Sequence, residues 1–156
     1  MSAIMPTYGR LPVTFALGAG AYLTDQKGQQ YLDALSGIAV TNLGHTHPSV
    51  TRAVIEQAET LLHTSNLYGI AQQERLAGEL SQLTGMKRIF FCNSGAEANE
   101  TAIKMARRHG HNKGIADPKI VVLEGAFHGR TMGALSATGS TALQAAFKPL
   151  LPGFIR

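Results

Sequence analysis

Two short apolar runs flank a segment with helical periodicity, and this order constrains the fold more than any other feature of the sequence. The runs are residues 89–92 and 119–123, and alanine and isoleucine recur at helical spacing between them. Short continuous apolar runs are typical of strands in a parallel sheet, because both faces of such strands are covered. A strand, a helix and a second strand predict a βαβ unit with parallel strands and a right-handed crossover. We therefore expect an α/β fold.

The amino-terminal half has a different pattern. Residues 21–24 and 30–33 favour β-structure and are joined by Asp-Gln-Lys-Gly, which predicts a hairpin. A glycine-rich loop ends at Pro48, an acceptable first residue of a helix. Apolar residues then recur at helical spacing between residues 50 and 61, and again between 76 and 83 before Gly85. After residue 123 the pattern predicts no further strand, so the sheet looks unfinished and the sequence truncated.

Composition excludes several classes of protein. Of the 156 residues, 44% are hydrophobic and 15% charged, which indicates a globular chain rather than a disordered one. Cys92 is the single cysteine, so we expect no disulfide framework and a packing role for this side chain. With no leader-like or membrane-spanning pattern, we expect a cytoplasmic protein. The net charge of +4 is not concentrated in basic runs, so we expect no nucleic-acid partner.

The junction after the first apolar run is the most informative for chemistry. Asn93, Ser94 and Gly95 stand between the run and the predicted helix. The unpaired N–H groups of a first helical turn bind phosphate readily, and glycine lets a ligand approach the backbone. An ordinary capped turn is an equally good interpretation, with Ser94 as N-cap and Glu97 completing a capping box.

The junction after the second run carries an aromatic ring, an imidazole and a guanidinium, at Phe127, His128 and Arg130. Ligands of open α/β sheets bind at the carboxyl ends of strands, where Phe127 could stack on a flat ring and Arg130 could bind a carboxylate. The alternative is a core phenylalanine beside a surface arginine. Two His-x-His pairs, at 45–47 and 109–111, lack further ligands at metal-binding spacing, and we expect no metal site.

Four segments together resemble the class III, fold-type I aminotransferases, which use pyridoxal 5′-phosphate. In chain order they are GIAVTNLGHTHP, HTSNLY, RIFFCNSGAEANETAIKMAR and AFHGRTMGALSATG. The resemblance is strongest to the branch that acts on N2-acetylornithine. It implies a large domain with a mostly parallel sheet, a smaller domain, and a homodimer with active sites at the subunit interface. Residues 1–70 would belong to the small domain, and residues 71–156 would be an incomplete start of the large cofactor-binding domain.

The resemblance also implies roles for individual residues. Gly95 and Ala96, assisted by Ser94, would bind the phosphate of the cofactor. Phe127 would stack on its pyridine ring, and Arg130 would bind the α-carboxylate of the substrate.

Ile38 stands where ornithine aminotransferases, in our alignment, carry a tyrosine, so the resemblance implies an apolar contact that favours an N-acylated ornithine. The expected reaction of the parent enzyme transfers the terminal amino group of N2-acetylornithine to 2-oxoglutarate, in arginine biosynthesis. The alternatives are a class III transaminase for succinylornithine, ornithine or 4-aminobutyrate, or a non-catalytic fragment.

The Schiff-base lysine of the family lies, by this resemblance, beyond the FHGRT motif. None of the lysines of this chain has a matching context; they are Lys27, Lys87, Lys104, Lys113, Lys119 and Lys148. We therefore expect this chain to contain no catalytic residue and to be inactive alone.

Overall fold

A computed structural model describes residues 3–156. The chain divides into two compact units, one ending at Glu74 and the other beginning at Arg75. No helix within the described residues is long and apolar enough to cross a membrane.

The first unit contains an antiparallel sheet in the order β1 (Phe15–Ala19), β2 (Tyr22–Asp25) and β3 (Gln30–Leu32). The predicted hairpin is confirmed, because β2 pairs with β3 and Thr24 lies opposite Gln30. The sequence analysis did not predict β1. This strand pairs with β2 through an irregular register, and its glycine and alanine residues weaken the alternating pattern of a strand.

Two helices of the sequence analysis are confirmed, each with one predicted boundary. Helix α2 (Pro48–Thr60) begins at the predicted proline. Helix α3 (Ala71–Thr84) ends immediately before Gly85, whose φ of 71° is the left-handed conformation common after helix ends. The predicted loop before α2 contains one additional element, a single turn α1 (Ser36–Ala39).

The second unit contains the long helix α4 (Gly95–Asn112), as predicted, and a short parallel strand pair. Strand β4 (Ile120–Val121) confirms the position of the second apolar run, and its partner is β5 (Phe154–Ile155). Between them lie α5 (Met132–Ala137), α6 (Thr141–Gln144) and a 3-10 turn (Ala145–Phe147).

The prediction of a buried strand at residues 89–92 is wrong for this structure. These residues form no strand, Phe90 is 66% exposed and Cys92 is exposed, so the expected packing role of the cysteine is wrong as well. A strand requires a neighbouring backbone to complete its hydrogen bonds, and within residues 3–156 β4 pairs with β5 instead. The βαβ unit predicted from residues 89–123 is therefore absent, and the first apolar run belongs to no strand.

Helix α5 forms the centre of the core in the second unit, although the sequence analysis did not predict it. Ala134, Leu135 and Ala137 are buried, and Ile103 of α4 is buried as well. The buried side-chain amide of Gln144 is satisfied locally, because it donates to the carbonyls of Leu135, Ser136 and Thr138. Small residues obscured the helical pattern, yet they are what allows α5 to pack closely.

Candidate active site

The amino terminus of α4 has the capped turn that the sequence predicts. Ser94 Oγ accepts a hydrogen bond from the N–H of Glu97 at 3.2 Å, and Glu97 Oε2 accepts from the N–H of Asn93 at 2.8 Å. The cap therefore closes one residue earlier than in a standard capping box. Helical geometry leaves the N–H groups of Gly95 and Ala96 without acceptors inside the helix, so capping and anion binding are compatible here.

A second segment, the loop of residues 125–131, lies against the first two turns of α4. The side-chain amide of Asn99 donates to the carbonyl of His128 at 2.8 Å. A Cβ added to Gly129 would lie 2.9 Å from the Cβ of Ala96 and 3.0 Å from that of Ala134. Gly129 also has a φ of 133°, so only glycine permits this approach without strain.

Glu100 of α4 forms hydrogen bonds with the end of this loop and with the start of α5. Its Oε1 accepts hydrogen bonds from the hydroxyl of Thr131 at 2.5 Å and from the N–H of Ala134 at 3.1 Å. The Thr131 hydroxyl holds the pKa of Glu100 below its ordinary value; burial opposes this, while the backbone N–H groups of Ala134 and Gly133 and the charge of Lys104 support it. The carboxylate thus caps the amino terminus of α5 from a neighbouring helix.

The beginning of the loop is fixed by the segment that follows α5. The N–H of Gly139 donates to the carbonyl of Ala126 at 2.7 Å, and the N–H of His128 donates to the hydroxyl of Thr138 at 3.1 Å. Thr138 is itself buried and donates to Ala134. The loop is consequently held at both ends, by the buried Thr138 at its beginning and by the half-buried Glu100 at its end.

Phe127 and Arg130 project from this fixed loop. The Phe127 side chain is 61% exposed, and Arg130 is exposed as well. The core position considered for Phe127 is therefore wrong. The structure brings the loop that carries these two residues to the helix terminus that contains Ser94, Gly95 and Ala96.

Ile38 belongs to the first unit and has an unusual backbone. All four residues of α1 have positive φ, between 51° and 63°, so α1 is one turn of left-handed helix. Left-handed backbone costs about 1–2 kcal/mol for each residue other than glycine. Such strain is concentrated at functional sites. The Ile38 side chain is 79% exposed at the surface of this turn.

The left-handed turn follows a carboxylate with several partners. Asp33 accepts from the ring N–H of His45, with 2.6 Å between Nε2 and Oδ2, and from the backbone N–H groups of Leu35 and Ser36. The His45 bond, then the Ser36 bond, hold the pKa of Asp33 below its ordinary value despite partial burial. The sequence analysis identified neither this pair nor Glu100, because their partners are 12 to 34 residues distant and leave no local pattern.

Comparisons with known proteins identify the family to which the chain belongs. The family model "Aminotransferase class-III" matches residues 4–156. An acetylornithine aminotransferase from Nitrosomonas europaea is 60% identical over 156 residues, which are all of this chain and 40% of that protein. The chain therefore spans about two fifths of that relative.

Solved structures give the same result for the fold. An ornithine aminotransferase from Toxoplasma gondii ME49 superposes with a TM-score of 0.93 at 31% identity, over 98% of this chain and 37% of the other. An N-acetylornithine aminotransferase from Stenotrophomonas maltophilia K279a is 42% identical with a TM-score of 0.73, over 78% of this chain and 34% of the other. These likenesses confirm the predicted fold class, a part of fold-type I. Since the family model covers nearly its whole length, the chain belongs to the class-III aminotransferases, a family dependent on pyridoxal phosphate.

Proposed function

We propose that this chain contributes the phosphate-binding and ring-binding part of an enzyme that transfers the terminal amino group of N2-acetylornithine to 2-oxoglutarate. The observation that carries the proposal is the approach of Gly129 to Ala96, because it places the Phe127 loop beside the amino terminus of α4. A phosphate on that terminus and a flat ring beside it match the two ends of pyridoxal phosphate.

The residues of this terminus fit the cofactor. A Cβ added to Gly95 would meet no atom within 4 Å, so open space adjoins the backbone where the phosphate would bind. Ser94 can donate its hydroxyl proton, since its oxygen already accepts from Glu97. The exposed ring of Phe127 would stack on the pyridine. When bound, the cofactor supplies the electron sink for amino transfer.

Two residues are proposed to contact the substrate. Arg130 would hold the α-carboxylate of the amino donor and of 2-oxoglutarate in a bidentate pair. Ile38 would contact the donor with an apolar surface, which favours an acylated amine over a charged one because it offers no partner to a second ammonium group.

Ornithine is the second candidate donor, because a solved structure similar to this chain is an ornithine aminotransferase. The relative at 60% identity and the apolar side chain at residue 38 favour N2-acetylornithine. We further propose a cytoplasmic enzyme of arginine biosynthesis that acts as a homodimer. The lysine that binds the cofactor covalently is, on this proposal, none of the six lysines of this chain.

Kinetics of the natural enzyme that contains this sequence test the donor assignment. Initial rates with 2-oxoglutarate should give a higher kcat/KM for N2-acetylornithine than for succinylornithine, ornithine or 4-aminobutyrate. A higher value for one of the other three would replace the assigned donor.

Covalent labelling of the 156-residue chain tests the lysine assignment. After addition of pyridoxal phosphate and reduction with borohydride, mass spectrometry should find no lysine labelled stoichiometrically. Stoichiometric labelling of one lysine, accompanied by turnover of N2-acetylornithine, would show that this chain contains the complete catalytic machinery.

A further inference from the structure

Among residues 3–156, no neighbouring segment buries the left-handed turn of residues 36–39. None of its residues is buried, and a cavity of about 100 Å³ lies beside it, lined in part by Asp33, Ser36 and His45. Three of its four residues are not glycine, so the backbone itself favours a different conformation. The N–H groups of Ile38 and Ala39 donate to the carbonyl of Leu35, and a further interaction is needed to hold the turn at its entry.

The Asp33 carboxylate is the group in a position to do so. Its Oδ1 accepts from the N–H groups of Leu35 at 3.1 Å and Ser36 at 2.8 Å, which are the two residues at the entry to the turn. Its side chain is 8% exposed, so these hydrogen bonds compete little with water.

The carboxylate is in turn fixed to the sheet. Its Oδ2 is 2.6 Å from Nε2 of His45, and the backbone of His45 exchanges hydrogen bonds of 2.8 and 3.0 Å with Gly20, next to β1. The chain of contacts therefore runs from the sheet through His45 and Asp33 to the first N–H groups of the turn.

We propose that Asp33, oriented by His45, is a positioning residue that holds residues 36–39 left-handed and thereby sets where the Ile38 side chain meets the amino donor. The proposal rests on the proposed function, because it assigns to Asp33 the selectivity between donors. Without Asp33 the turn would relax, and the apolar contact of Ile38 would be displaced.

The hairpin supplies a matched control. Asp25 Oδ1 accepts from the N–H groups of Lys27 and Gln29, both at 2.9 Å, and Oδ2 accepts from the hydroxyl of Tyr31 at 3.2 Å. Asp25 thus stabilises a turn of the same sheet with the same chemistry, but this turn carries no proposed substrate residue.

The test compares Asp33→Ala, Asp33→Asn and Asp25→Ala in the natural enzyme, with N2-acetylornithine and ornithine as donors. In Asp33→Ala the ratio of the two kcat/KM values should fall about tenfold in favour of ornithine. Asp33→Asn retains an oxygen acceptor and should restore most of the ratio, whereas Asp25→Ala should leave the ratio unchanged.

An equal loss with both donors in Asp33→Ala would assign Asp33 a purely structural role and overturn the proposal, as would an equal change of ratio in Asp25→Ala. If Asp33→Ala does not fold, His45→Ala replaces it, with a smaller change in the same direction expected. An unchanged ratio in His45→Ala overturns the proposal equally. The wild-type rates decide the proposed function separately: a wild-type enzyme that uses neither donor removes the proposed function, and this inference with it.

Discussion

The two regions that carry the proposed binding residues are held in place by different interactions. The loop of residues 125–131 is fixed by close contact of Gly129 with Ala96 and by hydrogen bonds at both of its ends. The left-handed turn is exposed, and one carboxylate accepts hydrogen bonds from the N–H groups at its entry. Close packing therefore positions the loop with the candidate cofactor-binding residues, whereas hydrogen bonds to a carboxylate are proposed to position the candidate selectivity residue. Each region should be sensitive to a different kind of substitution.

The largest effect is expected from a side chain in the close contact. Gly129→Val would press on Ala96 and Ala134 and would force a β-branched residue to a φ of 133°. Overpacking and backbone strain together should cost about 2–6 kcal/mol. The Tm of the natural enzyme and its retained pyridoxal phosphate should both fall.

Gly114→Val is the control for this experiment. Gly114 has a φ of 78°, but an added Cβ there would meet no atom within 4 Å. It therefore measures backbone strain without the clash. If the Tm decreases equally in both variants, close packing does not fix the loop, and the proposed difference between the two regions is wrong.

The next largest effect concerns the guanidinium that the loop presents. Arg130→Lys retains the charge but loses the bidentate geometry. If such a pair contributes about 1.5–3 kcal/mol, kcat/KM should fall roughly 10- to 150-fold for both the donor and 2-oxoglutarate. Arg108→Lys, at an exposed position of α4, should change neither value. A loss restricted to one substrate would show that the other carboxylate binds elsewhere.

A smaller effect is expected at the phosphate end. Gly95→Val would occupy the open space beside the helix terminus, so the Kd for pyridoxal phosphate should rise about tenfold, or about 1.4 kcal/mol. Gly78→Val controls for the general effect of valine in a helix, because Gly78 lies within α3 and a Cβ added there would also meet no atom within 4 Å. Equal affinities of Gly95→Val and the wild type would rule out the phosphate assignment.

The smallest effect is the acid sensitivity of the two carboxylates. The pKa values of Asp33 and Glu100 are lowered in the folded chain. Their stabilisation is therefore complete above the ordinary values of 3.8 and 4.5, and it is lost as pH falls through the lower, folded pKa values.

A series of Tm measurements between neutral and acidic pH tests this dependence. Asp33→Asn and Glu100→Gln should each reduce the decrease of Tm at low pH, while Glu59→Gln, at an exposed position of α2, should not. If the Tm of both variants falls with decreasing pH as steeply as that of the wild type, the assignment of low pKa values to these groups is contradicted.

Sequence reasoning succeeded where the determinants are local. The spacing of apolar residues predicted α2, α3 and α4, and a four-residue turn sequence predicted the β2–β3 hairpin. Residues 89–92 have an equally clear apolar pattern, but a strand also needs a partner, which no local pattern supplies. The candidate site divides in the same way: the cap at Ser94 could be predicted, whereas the attachment of the loop by Glu100 depends on residues 31 to 34 positions away.

At residue 38, the side chain proposed to contact the amino donor is one that destabilises the left-handed backbone. Ile38 is β-branched and has a φ of 63°, a conformation in which glycine and asparagine are far more stable. A library of substitutions at residue 38 that is selected only for thermal stability should therefore converge on those two residues and discard the apolar side chain. Thermostabilised versions of the natural enzyme would then change their preferred amine without any substitution in the second unit, because the β-branched residue of the turn is also the one proposed to contact the donor.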